Sequence, residues 1–537
     1  RVYFGMSSPK YSVVGAPKGS KPWELDYPVD TTNGQVSTTY KGDGGPSIGS
    51  TWSKLMFAIK FRDTDLFFSN RVTSKSQILY NRDPRERVSK VAPYLTLDSR
   101  VYPAVVDTDG DPKTPKRLVW MIDGYTTTNQ YPYSERQSLE SAKADARTAQ
   151  SSGYGREPKQ VNYIRNSVKA VVDAYDGSVT LYKWDEKDPL LKAWSKVFPG
   201  TLKSVKSMSG DLMAHMRYPE DLFKVQRTLL SRYHVTDAKD FYSGGDFWDI
   251  PQEPTANRGE ASQQPPYYLT LKTAEFSLST GYILGGTSKR NVMTGFLAVD
   301  SEAGSTPGKV RAGYGKLRLL ELPRNLTVPG PGQAYNNFVT DSKVSTTLNL
   351  LKQGGTQVVY GNLLTLPVGG GLLYVQPVYV QASSGNTSYP VSQYVLTSFG
   401  EGTNIGFAPT LEESLNQTFR GDSGAKAGDA NVTGQKAAPD PNASSNKGNS
   451  NGSGKTTPTP SPSASSSPSA SQSGAGGGSG SAQQQLDKSL SDAQSAIKRA
   501  DEARKSGDWA GYGQAQKDLQ SALEKAVAAR EELNKAG

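Results

Sequence analysis

Residues 218–233 read YPEDLFKVQRTLLSRY, and this stretch decides the fold class. It is a helix in a chain whose other ordered segments read mostly as strands. Pro219 suits a first turn, Glu220 and Asp221 offset the positive end of the helix dipole, and Leu222, Val225, Leu229 and Tyr233 fall on one face. Just upstream, NSVKAVVDAY (166–175) reads as a second, shorter helix and GSVTLYKWD (177–185) as a strand after a turn. Working outward, the first 135 residues read mainly as strands, with LMFAIKF (55–61) and RLVWMID (117–123) as examples. Strands return from Tyr267 to Thr397, among them GFLAVD (295–300), KLRLLELP (316–323), TQVVYGNLLTLPV (356–368) and GLLYVQPVYV (371–380). A short helix over Leu411–Phe419 closes this region. Ser138 to Lys159, rich in Ala, Ser and charge, reads as a surface insertion outside the core, helical in part or mobile. The expected class is α+β: a β-rich main body over 1–419 with several helices, either one region or two subdomains with the mixed part around 160–240.

Between Val432 and Leu486 there is no Leu, Ile, Val, Phe, Trp or Tyr. Such a segment has nothing to bury against the entropy of ordering, so 420–484 reads as a disordered Ser/Pro/Gly linker. Beyond it, Leu486, Leu490, Ala493, Ile497 and Ala500 recur at alternating steps of four and three, the seam of a short helix. Gly507 and Asp508 interrupt it. A second periodic run contains Trp509, Tyr512, Leu519, Leu523, Ala526 and Leu533, so 485–537 reads as an antiparallel helical hairpin. Two short helices bury little surface, and Trp509, Tyr512, Leu519 and Leu523 are the candidate partner-binding residues.

The 537 residues include no cysteine, which excludes disulfides, Cys-based zinc sites and thiol nucleophiles. No stretch approaches the ~18 apolar residues that span a bilayer, and Arg1–Gly5 lacks the charged and apolar regions of a signal peptide. The formal charge is +10. The hairpin holds nine basic and nine acidic residues and the linker from Arg420 five and three, so the surplus belongs to the main body. Basic residues form no run of five, which argues against nucleic acid and for weak attraction to anionic lipid or wall polymer.

Asp107, Asp109 and Asp111 in VVDTDGDPK imitate the alternating oxygen ligands of a calcium loop, but basic residues stand where the closing carboxylate belongs. A polar hairpin turn accounts for them, and no metal or cofactor is expected. His215 and His234 bracket the helix at a spacing that does not suit a metal and read as ordinary hydrogen-bonded histidines. The glycines of PVGGGLL (367–373) and PGPGQ (329–333) lack a following GKS or GKT and read as turn glycines. Asp26, Asp43, Asp98 and Asp123 neighbour aromatics and glycines, as glycosidase acids do, but a pair must sit about 5 Å, or up to about 9 Å, apart. No catalytic residue is assigned. In DGYTTTNQYPYS (123–134), Tyr125, Tyr131 and Tyr133 form a candidate ligand-binding loop suited to stacking on sugars or anchoring a protein; tyrosines packed on a sheet edge are the alternative.

The strings RVYFG, ELDYP, YKGDGG, NRDPRERVSKVAPYLTLD, WMIDGYTTTNQYPYS, MRYPEDLFKVQRTLLSRYHV and GNLLTLPVGGGLLYVQPVYVQ resemble those of the large bacterial membrane proteins grouped as uncharacterised protein family 0182. The likeness covers nearly all of 1–419, and DWAGYGQAQKDLQSAL resembles the family's terminal helical segment. It implies a multi-pass protein of the cell membrane, with spanning helices ahead of RVYFG in the full-length protein and this portion extracytoplasmic. It carries no catalytic residues. The expected role is a non-catalytic scaffold or regulator with envelope or membrane proteins as partners; a cell-wall polysaccharide-binding or hydrolytic domain is the alternative.

Overall fold

Val168, Val171 and Val172 stand in a strand, Tyr163–Asp173, where the sequence suggests a helix. From Ser167 to Asp173 every residue is buried, so both faces of the strand are covered, and with Lys169 and Asp173 buried beside the valines no alternation marks it as a strand. The computed structural model describes residues 1–29, 34–146, 158–255, 262–271, 274–286, 291–323, 325, 327–353, 355–383, 389–402, 404–425, 478–506 and 508–536. Most of the linker, 420–484, therefore lies outside the described residues. The chain divides into two compact units, Arg1–Asp440 and Pro441–Gly537.

In the first unit, Tyr163–Asp173 is the centre of a five-stranded sheet. It pairs antiparallel with Arg117–Thr128 and Val179–Lys183; Thr96–Val106 and Leu202–Ser204 form the edges. One face packs Leu95, Ile122, Val168 and Val172 against Val88 and Leu191 of the flanking helices Pro84–Val91 and Pro189–Val197. The other packs Val119, Met121 and Val171 against Leu212, Met213 and Met216. A second sheet contains Ala274–Leu284, Met293–Asp300 and Leu317–Glu321, and its Leu278, Tyr282 and Leu297 meet Phe223 of the helix Glu220–Tyr233. A third contains Leu364–Val368, Gly371–Ala382 and Val391–Phe399. Two helices not read from the sequence, Pro331–Thr340 and Ser342–Gln353, cover it through Phe338 and Leu348.

The turn Val368 to Gly371 needs its glycines: Gly369 and Gly370 both have positive φ (60° and 81°), as a two-residue hairpin of primed type requires. LMFAIKF is a helix, not a strand. Thr51–Phe61 starts at Ser50, whose hydroxyl accepts from the Ser53 amide, and ends at Arg62 in the left-handed region. Phe57, Ala58 and Phe61 turn inward at helical spacing, onto Ile48, Leu66 and Ile78. Of the expected surface insertion Ser138–Lys159, residues 147–157 lie outside the described residues, and the start is less superficial than expected. Its helix Leu139–Lys143 buries Leu139 and Ala142 against Val161 and Val225.

The second unit holds the helices Gly478–Ser506 and Trp509–Ala536, joined by Arg499 and Asp518 at 2.7 Å. The first begins ahead of the expected Gln485. Ala482 and Gln483 to Gln485 are good helix formers; nothing in the structure explains Gly478 and Gly480. Among the described side chains the buried seam is made of small residues, with Ser489, Ala493, Ala496 and Ala500 on one helix and Ala515, Ala522, Ala526 and Ala529 on the other. Leu486, expected in the seam, is half-buried, and the side chains of Leu490 and Ile497 lie outside the described residues.

Candidate functional site: a buried charge network and outward apolar faces

The helix Glu220–Tyr233 has no side-chain cap of its own. Its free amides are met from the first sheet: Asp221 N donates to Asp98 Oδ2 at 2.9 Å and Leu222 N to the Tyr125 hydroxyl at 3.2 Å. Tyr125 in turn donates to Asp98. Asp221 accepts from Ser99 N and Oγ at 2.8 and 2.6 Å. Lys224 Nζ lies 2.8 Å from Asp145, 3.2 Å from Glu220 and 3.6 Å from Asp221, and Arg100 reaches Glu220 at 3.1 Å. Alongside, Lys169 pairs with Asp123 at 2.5 Å and donates to Arg217 O at 2.7 Å, while Asn166 Nδ2 donates to Asp123 at 3.0 Å.

Asp98 is 2% exposed, and Asp221 and Lys224 are 0% exposed. Burial, then the charges of Asp221 and Asp123, push the Asp98 carboxyl well above the usual range. Burial also raises Asp123, against the pull of Lys169. Burial opposes charge on Lys224, but Asp221, Glu220 and Asp145 outweigh it and hold the ammonium above the ordinary lysine range. Only part of the expected apolar face is buried: Val225 is buried and Leu222 packs on the core. Glu220, Asp221, Phe223, Lys224, Val225 and Arg227 face inward, whereas Leu229 and Tyr233 are exposed. The counter-charges from outside the helix, Arg100 on a strand and Asp145 after the helix Leu139–Lys143, are distant in sequence, which periodicity cannot see. The one local signal was the spacing of Glu220 and Asp221 to Lys224, four and three residues, which suits ion pairs on a helix.

Of the four sequence-selected carboxylates, Asp98 and Asp123 come together in this network. Asp26 is elsewhere, held by both ends of the Arg1 guanidinium at 2.7 Å, and Asp43 is on the surface. The Asp107 loop joins the strands Thr96–Val106 and Arg117–Thr128, and its carboxylates cap its own turn. Asp107 accepts from Gly110 N at 2.8 Å, Asp109 from Asp111 N at 3.0 Å and Asp111 from Lys113 N at 2.9 Å. Among the described residues no three His, Cys, Asp or Glu side chains are placed to hold a metal ion. His215 and His234 each point Nδ1 at a backbone carbonyl, of Asp211 and Leu230, and His234 stacks on Trp248 at 3.6 Å.

The three tyrosines do not form one loop. Tyr125 lies inside the strand Arg117–Thr128, 1% exposed, because its hydroxyl serves the network. Tyr131 and Tyr133 are exposed on the loop that follows, beside an open hollow lined by Gln130, Glu135, Arg136 and Asn162. Asn162 pins that loop, accepting from Tyr131 N at 3.0 Å and donating to Tyr131 O at 2.8 Å, and Tyr131 stacks on Tyr163. On the hairpin, Leu519 is half-buried; the side chains of Trp509, Tyr512 and Leu523 lie outside the described residues.

Sequence reading missed an outward apolar face. On the helix Thr51–Phe61, Trp52, Leu55, Met56 and Ile59 all face solvent, with Trp52 70% and Ile59 65% exposed. Phe68 follows on Asp65–Phe68, and Trp23, Leu25 and Tyr27 are exposed along and just before the strand Glu24–Pro28. The signal was in LMFAIKF. Read as a helix, TWSKLMFAIKF is apolar on two opposite faces, and one face suffices to pack on a single body.

Among the described residues, no helix is long and apolar enough to cross a membrane. No solved structure matches the chain. Curated relatives do: a protein of Bifidobacterium longum is 56% identical over 439 residues, 80% of this chain and 40% of that protein. One of Leifsonia xyli is 56% identical over 440 residues, 80% of this chain and 43% of its own length. The chain thus spans about two fifths of the length of the curated relatives it matches. Both carry the name UPF0182 protein, and the description of that family matches residues 1–351. The chain belongs to the Uncharacterised protein family UPF0182.

Proposed function

We propose that this chain is a non-catalytic, extracytoplasmic interaction module of a longer membrane protein, acting as a scaffold or regulator for envelope partners. The observation that carries the reading is the disposition of its side chains. Charged groups that chemistry would use, Asp98, Asp123, Lys169, Asp221 and Lys224, are buried and engaged with one another, while Trp52, Met56, Ile59 and Phe68 face outward. Large rings and aliphatic chains in a group dominate interface energies. The C-terminal hairpin, with its candidate residues Trp509, Tyr512, Leu519 and Leu523, supplies a second surface in this reading.

One observation favours a wall-polymer hydrolase instead: Asp98 and Asp123 converge, one with a strongly raised pKa, among the tyrosines Tyr102, Tyr125, Tyr268 and Tyr314. Against it, both acids are buried, and the Asp98 oxygens already serve Arg100 N, Tyr125 and Asp221 N. Crosslinking the full-length protein in its own membrane tests both. Capture of a stoichiometric partner that is lost with Trp52→Ser and Ile59→Ser supports the module. Release of sugar from wall polymer by the purified chain, abolished by Asp98→Asn with folding intact, would replace it with the hydrolase.

A further inference from the structure

Trp52, Leu55, Met56 and Ile59 follow one another at steps of three, one and three, so their side chains make one continuous stripe along the helix. The opposite side of the helix, through Phe57, Ala58 and Phe61, is already packed on the body. The outward stripe therefore adds nothing to the helix's own packing. Nearby, Arg71 stacks over the Trp23 ring at 4.8 Å and Lys21 approaches the same ring at 5.2 Å. Trp23, Leu25 and Tyr27 are all exposed, along and just before the strand Glu24–Pro28. Phe68 stands three residues before Arg71, whose cation–π contact ties that segment to Trp23.

The composition of this region selects its occupant. Residues 50 to 75 carry five Lys or Arg and only Asp63 and Asp65 in opposition, in a chain of formal charge +10. Tryptophan and aliphatic side chains rimmed by cations suit the boundary between headgroups and acyl chains, where indole rings settle and basic residues meet anionic lipid. A second copy of this face would bring the same surplus of positive charge against itself. Resting on the interaction-module reading and naming one partner for it, we infer that the helix Thr51–Phe61, with Phe68 and Trp23, seats this domain on an anionic bilayer surface. Trp52, Met56, Ile59 and Phe68 enter the interface, and Lys21, Arg62 and Arg71 meet the headgroups. The domain lies on the membrane through this face and does not cross it.

The test is co-sedimentation of the 537-residue chain with vesicles of phosphatidylcholine, alone or with about 25% phosphatidylglycerol. Binding is expected to the anionic vesicles, weakened by raising salt from about 0.1 to about 0.5 M as headgroup attraction is screened. Trp52→Ser, Met56→Ser and Ile59→Ser together should weaken it by about tenfold or more, since they remove most of the inserting surface. The same change at the exposed Tyr242 should leave it intact, and unchanged circular dichroism would show that the triple variant folds. Three results overturn the inference: no binding to anionic vesicles, binding that the triple variant retains, or a dimer in sedimentation equilibrium that the triple variant dissolves. If vesicles are not bound but crosslinking in the native membrane still captures a protein through Trp52 and Ile59, the bilayer is the wrong partner and the module reading stands. If neither occurs, both fall.

Discussion

Asp98 shows what a single residue can reveal here and what it hides. Its place beside aromatics was legible, its burial was not, and burial gives it a measurable signature. A carboxyl whose folded pKa is raised binds more protons folded than unfolded between about pH 3.9 and its elevated value. Stability therefore falls as pH rises through that window. Asp98→Asn removes the slope, so relative to the parent the variant's melting temperature should be higher at about pH 8 than at about pH 5. An equal difference at both values would mean that Asp98 titrates as an exposed aspartate. Asp188 is the opposite case. Burial opposes its charge, but Thr126, Tyr163 and Ser167 hydroxyls at 2.6 to 2.7 Å and the Leu190 amide outweigh it and depress its pKa. Its contribution is complete above about pH 3.9 and is lost as pH falls through the lower folded value. Asp188→Ala should cost on the order of 3 kcal/mol by urea denaturation at neutral pH, more than the ~1 kcal/mol of a lone helix cap. A loss of only ~1 kcal/mol would reduce it to such a cap.

At the scale of elements, the sequence was readable where one face is buried and misleading where two or none are. Glu220–Tyr233 and Leu411–Phe419 begin and end as expected because proline, acids and turn residues act locally. The strand Tyr163–Asp173 and the helix Thr51–Phe61 were each read as the other type. In the strand both faces are buried, and in the helix both are apolar, so the period that distinguishes them is erased. The hairpin adds a subtler case. Ala493, Ala500 and Ala526, expected in the seam, are buried there and are joined by Ala496, Ala515, Ala522 and Ala529, and small residues let two helices approach closely along their length. Ala496 is fully buried, and a leucine there would force the helices apart. Ala496→Leu should lower hairpin stability by about 1–3 kcal/mol, read as the helix-melting transition of residues 478–537 by circular dichroism. An unchanged melt would place the seam elsewhere.

Across the first compact unit, the helix Glu220–Tyr233 works as a tie between two sheets that the sequence showed only as separate runs of strand. Toward the first sheet it offers Asp221 and Leu222 to Asp98 and Tyr125. Toward the second, the Tyr282 hydroxyl donates to Arg227 O at 2.8 Å, and just ahead of the helix the Tyr268 hydroxyl donates to Tyr218 O at 2.6 Å. Lys224 lies among three of the carboxylates and is the cation most enclosed by them. Replacing it by methionine keeps the volume and removes the charge, so the acids around it lose their nearest compensation in a medium that solvates them poorly. Lys224→Met should therefore cost about 3–5 kcal/mol, a large fraction of a domain's stability. Because the helix is anchored on both sides, the loss should appear in both sheets together. Hydrogen exchange of amides in Tyr163–Asp173 and in Ala274–Leu284 should accelerate by similar factors in the variant. If the first sheet loosens while the second keeps its protection, the sheets fold as separate units, and the charge network belongs to only one of them.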